Sequence, residues 1–166
     1  MKVYRFRVSI FDIPHLYRII EVSGNCTFDD LHDAIFEAFD RYDPHLYSFF
    51  VTRKDAKSMA PIMQAPVITH PENVEEEKDF GNAVEAADKT TIDDAGLKEK
   101  EVIHYWFDFG DDWWHRIRVE KITKTRSQYP TKHLEIVKSV GASPPQYPDF
   151  DDEDFEDFED FDEQYD

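Results

Sequence analysis

Hydrophobic and polar residues alternate along both halves of residues 101–120, on either side of a short acidic turn. The first half places Phe107 on one face and Trp106 on the other, and the second half separates Ile117 from Trp114 in the same way. Alternation with a period of two predicts β-strands. The Gly110–Asp112 sequence between them predicts a hairpin turn. The pattern therefore predicts a central antiparallel hairpin with one apolar face and one face that carries tryptophan.

Four elements are expected before this hairpin: strands at residues 4–10, 16–22 and 46–51, and a helix after Thr27. Thr27 and Asp30 have the spacing of a capping box, with apolar residues at helical intervals behind them. The helix is expected to end near Pro44, because a residue that precedes proline disfavours the α conformation. The order strand, strand, helix, strand is typical of a β-grasp-like unit. The predicted fold class is therefore α+β with a mixed sheet.

The remaining chain suggests a single domain with an appendage. Residues 52–89 lose periodicity and contain three prolines, which predicts a loop or insertion. A short helical turn is expected at 91–97 and a last strand at 134–140. We therefore expect one α+β domain over residues 1–145 and an acidic, aromatic tail over residues 146–166.

Charge and cysteine content narrow the functional classes. The net charge is −18, and residues 149–166 hold twelve acidic groups and no basic one. Direct nucleic-acid binding is therefore not expected, since it depends on clustered Lys and Arg. The single cysteine, Cys26, leaves no internal disulfide and fits a reducing cytoplasm. No apolar run is long enough for a membrane span and no signal-peptide pattern occurs, so a cytoplasmic protein without a membrane partner is expected.

The face of the hairpin turned away from the apolar core is the main candidate binding surface. It carries Trp106, Trp114, Arg116 and Arg118. Exposed indoles beside guanidinium groups are typical of interaction hot spots. The alternative is that this face is a second buried side of the sheet, covered by the insertion or by the tail. A small positive stripe is also possible, if the strand of Arg5 and Arg7 neighbours that of Arg116 and Arg118.

The hairpin turn carries a second set of candidate binding residues, Asp108, Asp111, Asp112 and His115. Carboxylates and an imidazole at the mouth of a hairpin could converge on a divalent metal. Alternatively, Asp111 and Asp112 accept backbone N–H bonds and hold the turn while His115 packs beside Trp113. No nucleophile lies in the same stretch, so the sequence assigns no catalytic residue, metal ligand or cofactor.

Phenylalanines are regularly spaced in the acidic tail, at Phe155, Phe158 and Phe161. This spacing would align them on one side of a helix, although the repulsion between the carboxylates favours disorder in isolation. Such a segment could bind a protein partner that offers a basic or apolar groove. It could also act as a solubilising tail, or dock on the Trp/Arg face of its own domain.

The sequence around the hairpin resembles the Ri-plasmid ORF-3-like family. The resemblance is carried by the Asp108–Trp113 segment followed by His115, and by shorter similarities at Pro14–Ile19, Thr27–His32 and Asp43–Phe49. It covers about residues 3–140. It implies a compact α+β domain of unknown function with a tie to mobile-element recombination. The family often ends in a segment with two cysteines, which Gly141–Pro145 lacks, so a metal or redox role tied to them is not expected here.

These observations favour a non-enzymatic interaction module, and the resemblance implies a link to mobile-element or nucleic-acid-processing proteins. The alternative function is a metal-assisted hydrolase or nuclease that uses the aspartates and His115 at the turn.

Overall fold

The computed structural model describes residues 1–126 and 131–147. The strands in these residues are β1 (Lys2–Ile10), β2 (Ile13–Ser23), β3 (Tyr47–Phe50), β4 (Val67–Thr69), β5 (Val84–Ala86), β6 (Val102–Phe107), β7 (Trp113–Lys124) and β8 (Leu134–Val140). The α-helices are α1 (Phe28–Ala38), α2 (Met59–Met63) and α3 (Val74–Lys78), with 3-10 turns at Pro71–Asn73 and Asp93–Ala95. None of these helices combines the length and apolarity that crossing a membrane requires.

The eight strands form one mixed sheet in the order β5-β4-β3-β6-β7-β1-β2-β8. Neighbouring strands are antiparallel except β4 and β5, which are parallel. The predicted α+β class, the opening order strand, strand, helix, strand, and the β6–β7 hairpin are confirmed. The hairpin lies at the centre of the sheet, with β3 on one side and β1 on the other, so its two faces decide what each side of the sheet presents.

Helix α1 begins as its sequence predicts and ends earlier. Thr27 Oγ1 accepts the N–H of Asp30 at 3.1 Å, and Asp30 Oδ2 accepts the N–H of Thr27 at 2.9 Å, which completes the capping box. At the other end, the Arg41 N–H donates to the Phe36 carbonyl and Asp40 has a φ of 56°. This geometry is a Schellman motif with aspartate in the place usually taken by glycine. The helix therefore stops at Ala38, and the expected end near Pro44 is corrected.

The main hydrophobic core lies between α1 and one face of the sheet, which we call the inner face. Its fully buried members include residues of α1 and of β1, β2, β3, β6 and β7: Tyr4, Phe6, Val8, Ile20, Val22, Phe28, Leu31, Ile35, Phe49, Tyr105, Phe107, Ile117 and Val119. On the strands these side chains occupy alternate positions, which is the pattern that directs them to one side. The inner face therefore supplies most of the apolar burial that stabilises the domain.

A second, smaller apolar cluster lies on the opposite, outer face. It contains Phe50, Ala56, Ile62, Ala65 and Val67, with Val84, Trp106 and Trp114 packed against it. Most of these residues belong to the segment 52–89. That segment was expected to be a loop or insertion, but it also adds β4 and β5 to the sheet. It therefore covers part of the outer face and leaves another part open.

Three histidines are enclosed by this fold: His32, His104 and His115. His32 Nδ1 lies 2.6 Å from the Tyr105 hydroxyl, and the imidazole stacks on Tyr47 at 3.8 Å between ring centroids. Burial lowers the pKa of His32 to about 3 and that of His104 to about 4. Burial also holds the pKa of His115 well below its usual value. All three imidazoles are therefore neutral at pH 7.

We expect the protein to lose stability in mild acid. A histidine whose pKa is lower in the folded than in the unfolded state binds more protons after unfolding, so its cost begins as the pH falls below about 6.5. Lowering the pH from 7 to 5 should cost about 2 kcal/mol of unfolding free energy per buried imidazole. Urea denaturation at the two pH values measures this loss.

The variant His104→Gln separates this effect from general acid sensitivity. Glutamine can keep partners for the Thr52 hydroxyl and the Ala56 N–H, which lie 2.7 and 3.4 Å from the imidazole nitrogens. It should reduce the loss by about 2 kcal/mol, whereas His15→Gln at an exposed position should leave it unchanged. Equal stability of the unmodified protein at pH 7 and pH 5 would contradict the assignment.

Candidate functional site

Asp108 and Asp112 stabilise the backbone of the hairpin turn. Asp108 and Asp112 have φ values of 65° and 57°, a left-handed conformation that aspartate tolerates better than most residues. Asp108 Oδ1 accepts the N–H groups of Gly110 and Asp111, each at 3.2 Å. The Asp112 N–H donates to the Asp108 carbonyl at 2.7 Å. The turn is therefore closed by its own side chains and backbone.

An aromatic stack runs across the outer face beside the turn. Trp106 and Trp114 are opposite each other in the β6–β7 ladder, and their rings stack at 5.1 Å with 6° between planes. Phe109 stacks on the other side of Trp106 at 4.1 Å. The Trp106 indole N–H donates to Asp112 Oδ1 at 2.8 Å. An acidic residue of the turn thus fixes the orientation of the central indole.

Trp106 and Phe109, two members of this stack, line a groove with a volume of about 500 Å³. Phe50, Phe80, Trp106 and Phe109 give it an aromatic lining, so we call it the aromatic groove. Phe80 is 73% exposed although it is a large apolar residue. Glu76 and Glu77 lie at the rim, and burial followed by the charge of Glu76 raises the pKa of Glu77. The groove is therefore apolar within and negatively charged at its edge.

The other half of the outer face is basic. Strands β1 and β7 are neighbours, with Arg7 opposite Arg118 and Ser9 opposite Arg116. We call Arg5, Arg7, Arg116 and Arg118 the arginine stripe. The possible positive stripe noted in the sequence is therefore formed.

Three of the four arginines have carboxylate partners. Arg116 Nε lies 2.7 Å from Asp55, Arg5 Nε 3.5 Å from Glu21, and Arg7 Nη1 4.0 Å from Glu120. Within the described parts of the chain, Arg118 is exposed and has no ion-pair, hydrogen-bond or ring partner. The stripe therefore keeps a positive charge that no described residue neutralises by contact.

The structure brings together some of the candidate binding residues and separates others. Trp106, Trp114, Arg116 and Arg118 share the outer face, while Asp111 and Asp112 are exposed at the turn. His115 lies on the inner face and is 0% exposed, with its Nε2 2.9 Å from Arg41 Nη2. A binding role for His115 is therefore corrected, because alternation along β7 directs it into the core.

Metal ligation at the turn is not supported by this arrangement. Among the residues that the structure describes, three potential ligands approach one another only at Glu21, His133 and Glu135. Glu21 and Glu135 lie on β2 and β8, and His133 directly precedes β8, at the end of the sheet away from the hairpin turn. Asp108, Asp111, Asp112 and His115 do not form such a group, because His115 faces the core and Asp108 bonds to its own turn.

Arg41 is a structural residue of the site that the sequence analysis missed. Its guanidinium carbon lies 5.1 Å from the ring centroids of both Phe107 and Trp113, in the arrangement of a cation–π contact. Burial lowers the pKa of Arg41 to about 10, and the charge of Asp108 opposes this shift. Arg41 Nη1 and Asp108 Oδ2 are both buried without a hydrogen-bond partner in the described chain. A positive charge thus lies under the acidic turn.

The end of the described chain is fastened beside the turn. Gln146 is 2% exposed, and its Oε1 accepts the N–H groups of Tyr42 and Asp43 at 2.9 and 3.0 Å. Trp113 Nε1 donates to the Gln146 carbonyl at 3.3 Å, and the Tyr147 hydroxyl donates to Asp43 Oδ2 at 2.6 Å. Gln146 and Tyr147, which the sequence analysis placed in the tail, therefore pack on the domain. Phe155, Phe158 and Phe161 lie outside the described residues.

We expect Gln146→Ala to destabilise the domain by about 2–4 kcal/mol, because it leaves buried backbone groups of residues 42 and 43 without partners. The loss should be visible as a lower urea midpoint at an unchanged denaturant slope. Gln64→Ala removes the same side chain from an exposed position and should change stability by no more than about 0.5 kcal/mol. Equal effects of the two substitutions would show that Gln146 does not fasten the chain.

Comparison with known proteins agrees with the sequence resemblance. A protein of unknown function from Methanosarcina mazei Go1, known from its crystal structure, superposes with a TM-score of 0.62 at 26% identity. The match covers 99% of this chain and 84% of that one. No curated protein matches this chain significantly. The sequence pattern of the plasmid pRiA4b ORF-3-like proteins matches residues 2–164, and the chain therefore belongs to that family.

Proposed function

We propose that this protein is a non-enzymatic interaction module whose aromatic groove binds an apolar, positively charged segment of a partner protein. The observation that carries the proposal is the stacked pair Phe109 and Trp106, which lines an open groove of about 500 Å³ together with Phe50 and Phe80. Pockets of this size and apolar lining are typical of ligand-binding sites.

The exposure of the groove favours a binding role. Phe80 is 73% exposed and Met63 40%, although burying either would stabilise an isolated domain. Large apolar side chains grouped around a concave surface are typical of interaction sites. The Trp106 ring that lines the groove is held by stacking against Phe109 and Trp114 and by its bond to Asp112, so little conformational entropy is lost when a partner covers it. The groove therefore offers the partner a preorganised apolar surface.

The charge around the groove indicates the chemistry of the partner. Glu76 and Glu77 lie at the rim, and the described residues that line the groove include no Lys or Arg. A lysine or arginine of the partner could pair with these carboxylates and lie over the indole face. The family's tie to mobile elements suggests a nucleic-acid-processing protein of the cytoplasm as the partner class. We therefore propose that the partner binds in the groove, and this role requires no catalytic step.

A leucine/lysine amphipathic peptide without aromatic residues is a suitable probe. We expect it to change the tryptophan fluorescence of the full chain saturably, whereas a leucine/glutamate peptide of the same length should not. Phe80→Ser removes one wall of the groove and should weaken binding about tenfold, the effect of losing roughly 1.4 kcal/mol of apolar contact.

Tyr42→Ser is the matched control. Tyr42 is an aromatic residue that is 69% exposed and lies outside the groove, so its loss should leave the affinity within about twofold. Equal weakening by both substitutions, or equal binding of the two peptides, would contradict the proposal.

A further inference from the structure

We propose that the acidic tail, residues 149–166, docks across the arginine stripe of its own domain. This inference is independent of the aromatic groove. It depends on the charge of the stripe, the place where the described chain ends and the composition of the tail.

The positive charge of the stripe is only partly neutralised by the described residues. Arg7 and Arg118 are directly opposite each other on adjacent antiparallel strands. Like charges in this position destabilise a sheet. Arg7 stacks over Tyr17 at 3.7 Å and approaches Glu120 at 4.0 Å, while Arg118 has no partner in the described residues. An additional carboxylate at this point would relieve the repulsion.

The fastening of Gln146 and Tyr147 ends the described chain beside the hairpin turn, on the side of the main core against which Trp113 packs, so the tail has to pass around the turn to reach the stripe. Gln146 accepts a bond from Trp113, the first residue of β7, and Tyr147 contacts His45, which lies 3.4 Å from Asp108. From the turn, β7 carries Arg116 and then Arg118 outward along the same face. Arg118 is six residues from Asp112, or about 20 Å along a strand.

The tail is long enough to cover this distance. Nineteen residues follow Tyr147, and such a segment spans at most about 60 Å when extended. The thirteen residues 148–160 span at most about 43 Å when extended, which is about twice the length of strand from the turn to Arg118 and leaves enough chain to pass around the turn. The tail can therefore lie along the stripe without strain.

The negative charge of the tail favours the stripe over the groove as the docking site. The tail carries twelve carboxylates, and the rim of the groove is formed by Glu76 and Glu77. These charges repel the tail from the groove, whereas the stripe attracts it. Phe155, Phe158 and Phe161 would then lie against apolar parts of the arginine side chains and Tyr17. An anionic partner such as a nucleic acid would have to displace the tail, which explains how a sheet with a basic stripe can avoid phosphate backbones.

The test is a nitroxide label on the tail of the full-length protein. Asp160→Cys provides the attachment site, because the natural cysteine, Cys26, is 0% exposed. At low salt we expect broadening of the backbone amide resonances of Arg7 and Arg118, with little effect near Phe80. At 1 M NaCl the broadening should decrease at least severalfold, because exposed ion pairs are screened.

Arg118→Glu should abolish the broadening at low salt, and Lys89→Glu, the same charge change at an exposed position that follows β5 at the other edge of the sheet, should not. Three results would overturn the proposal: no broadening, broadening centred on the groove, or broadening that disappears on dilution and so arises between molecules. The absence of broadening and its disappearance on dilution have no bearing on peptide binding in the groove, so the two proposals can fail separately.

Discussion

The structure depends on the alternation of side chains along the β6–β7 hairpin, which directs every second residue to the same face of the sheet. Tyr105 and His115 face each other on one side, and the adjacent pair Trp106 and Trp114 face each other on the other side. A shift of the register by one residue would exchange these sets, bury the arginines and expose the core aromatics. The inner face therefore stabilises the domain, while the outer face is free to carry residues that do not serve the core.

The acidic turn connects the two faces. Asp108 closes the turn through backbone N–H groups, and Asp112 orients the Trp106 indole on the outer face. Beneath the turn, Arg41 is buried against Phe107 and Trp113 and interacts with Asp108 through its charge. Asp108, Asp112 and His115, three of the four residues that suggested metal chemistry in the sequence, thus have structural partners. The same corner also fastens Gln146 and Tyr147, where the described chain ends.

Much of the fold could be predicted because local signals determine it. Alternation located the hairpin, the capping box located the start of α1, and the strand at 134–140 coincides with β8. The end of α1 was wrong, because Asp40 adopts the left-handed cap conformation that glycine would have signalled. The contributions of β4 and β5 were missed because three-residue strands are too short to show a period.

The site was predicted only in part, because some of its residues give no local signal in the sequence. The indoles and arginines were assigned to the outer face from their own strands, and that assignment agrees with the structure. The walls of the groove come from Phe50, Phe80 and the rim of α3, which are distant in sequence and meet only through tertiary packing. The alternation along β7 directs His115 into the core, but its imidazole made it a candidate metal ligand in the sequence. Arg41 gave no periodic signal, since it lies in the loop between α1 and β3.

The most direct test of the two-faced sheet compares alanine substitutions at Phe107 and Trp106, which are adjacent on β6 and face opposite sides. Urea denaturation should show a loss of about 3–5 kcal/mol for Phe107→Ala, because it opens a cavity in the main core. Trp106→Ala should cost no more than about 2 kcal/mol, because its ring is only partly buried in the small outer cluster. An equal or greater loss for Trp106→Ala would contradict the account, since both faces would then serve stability alone.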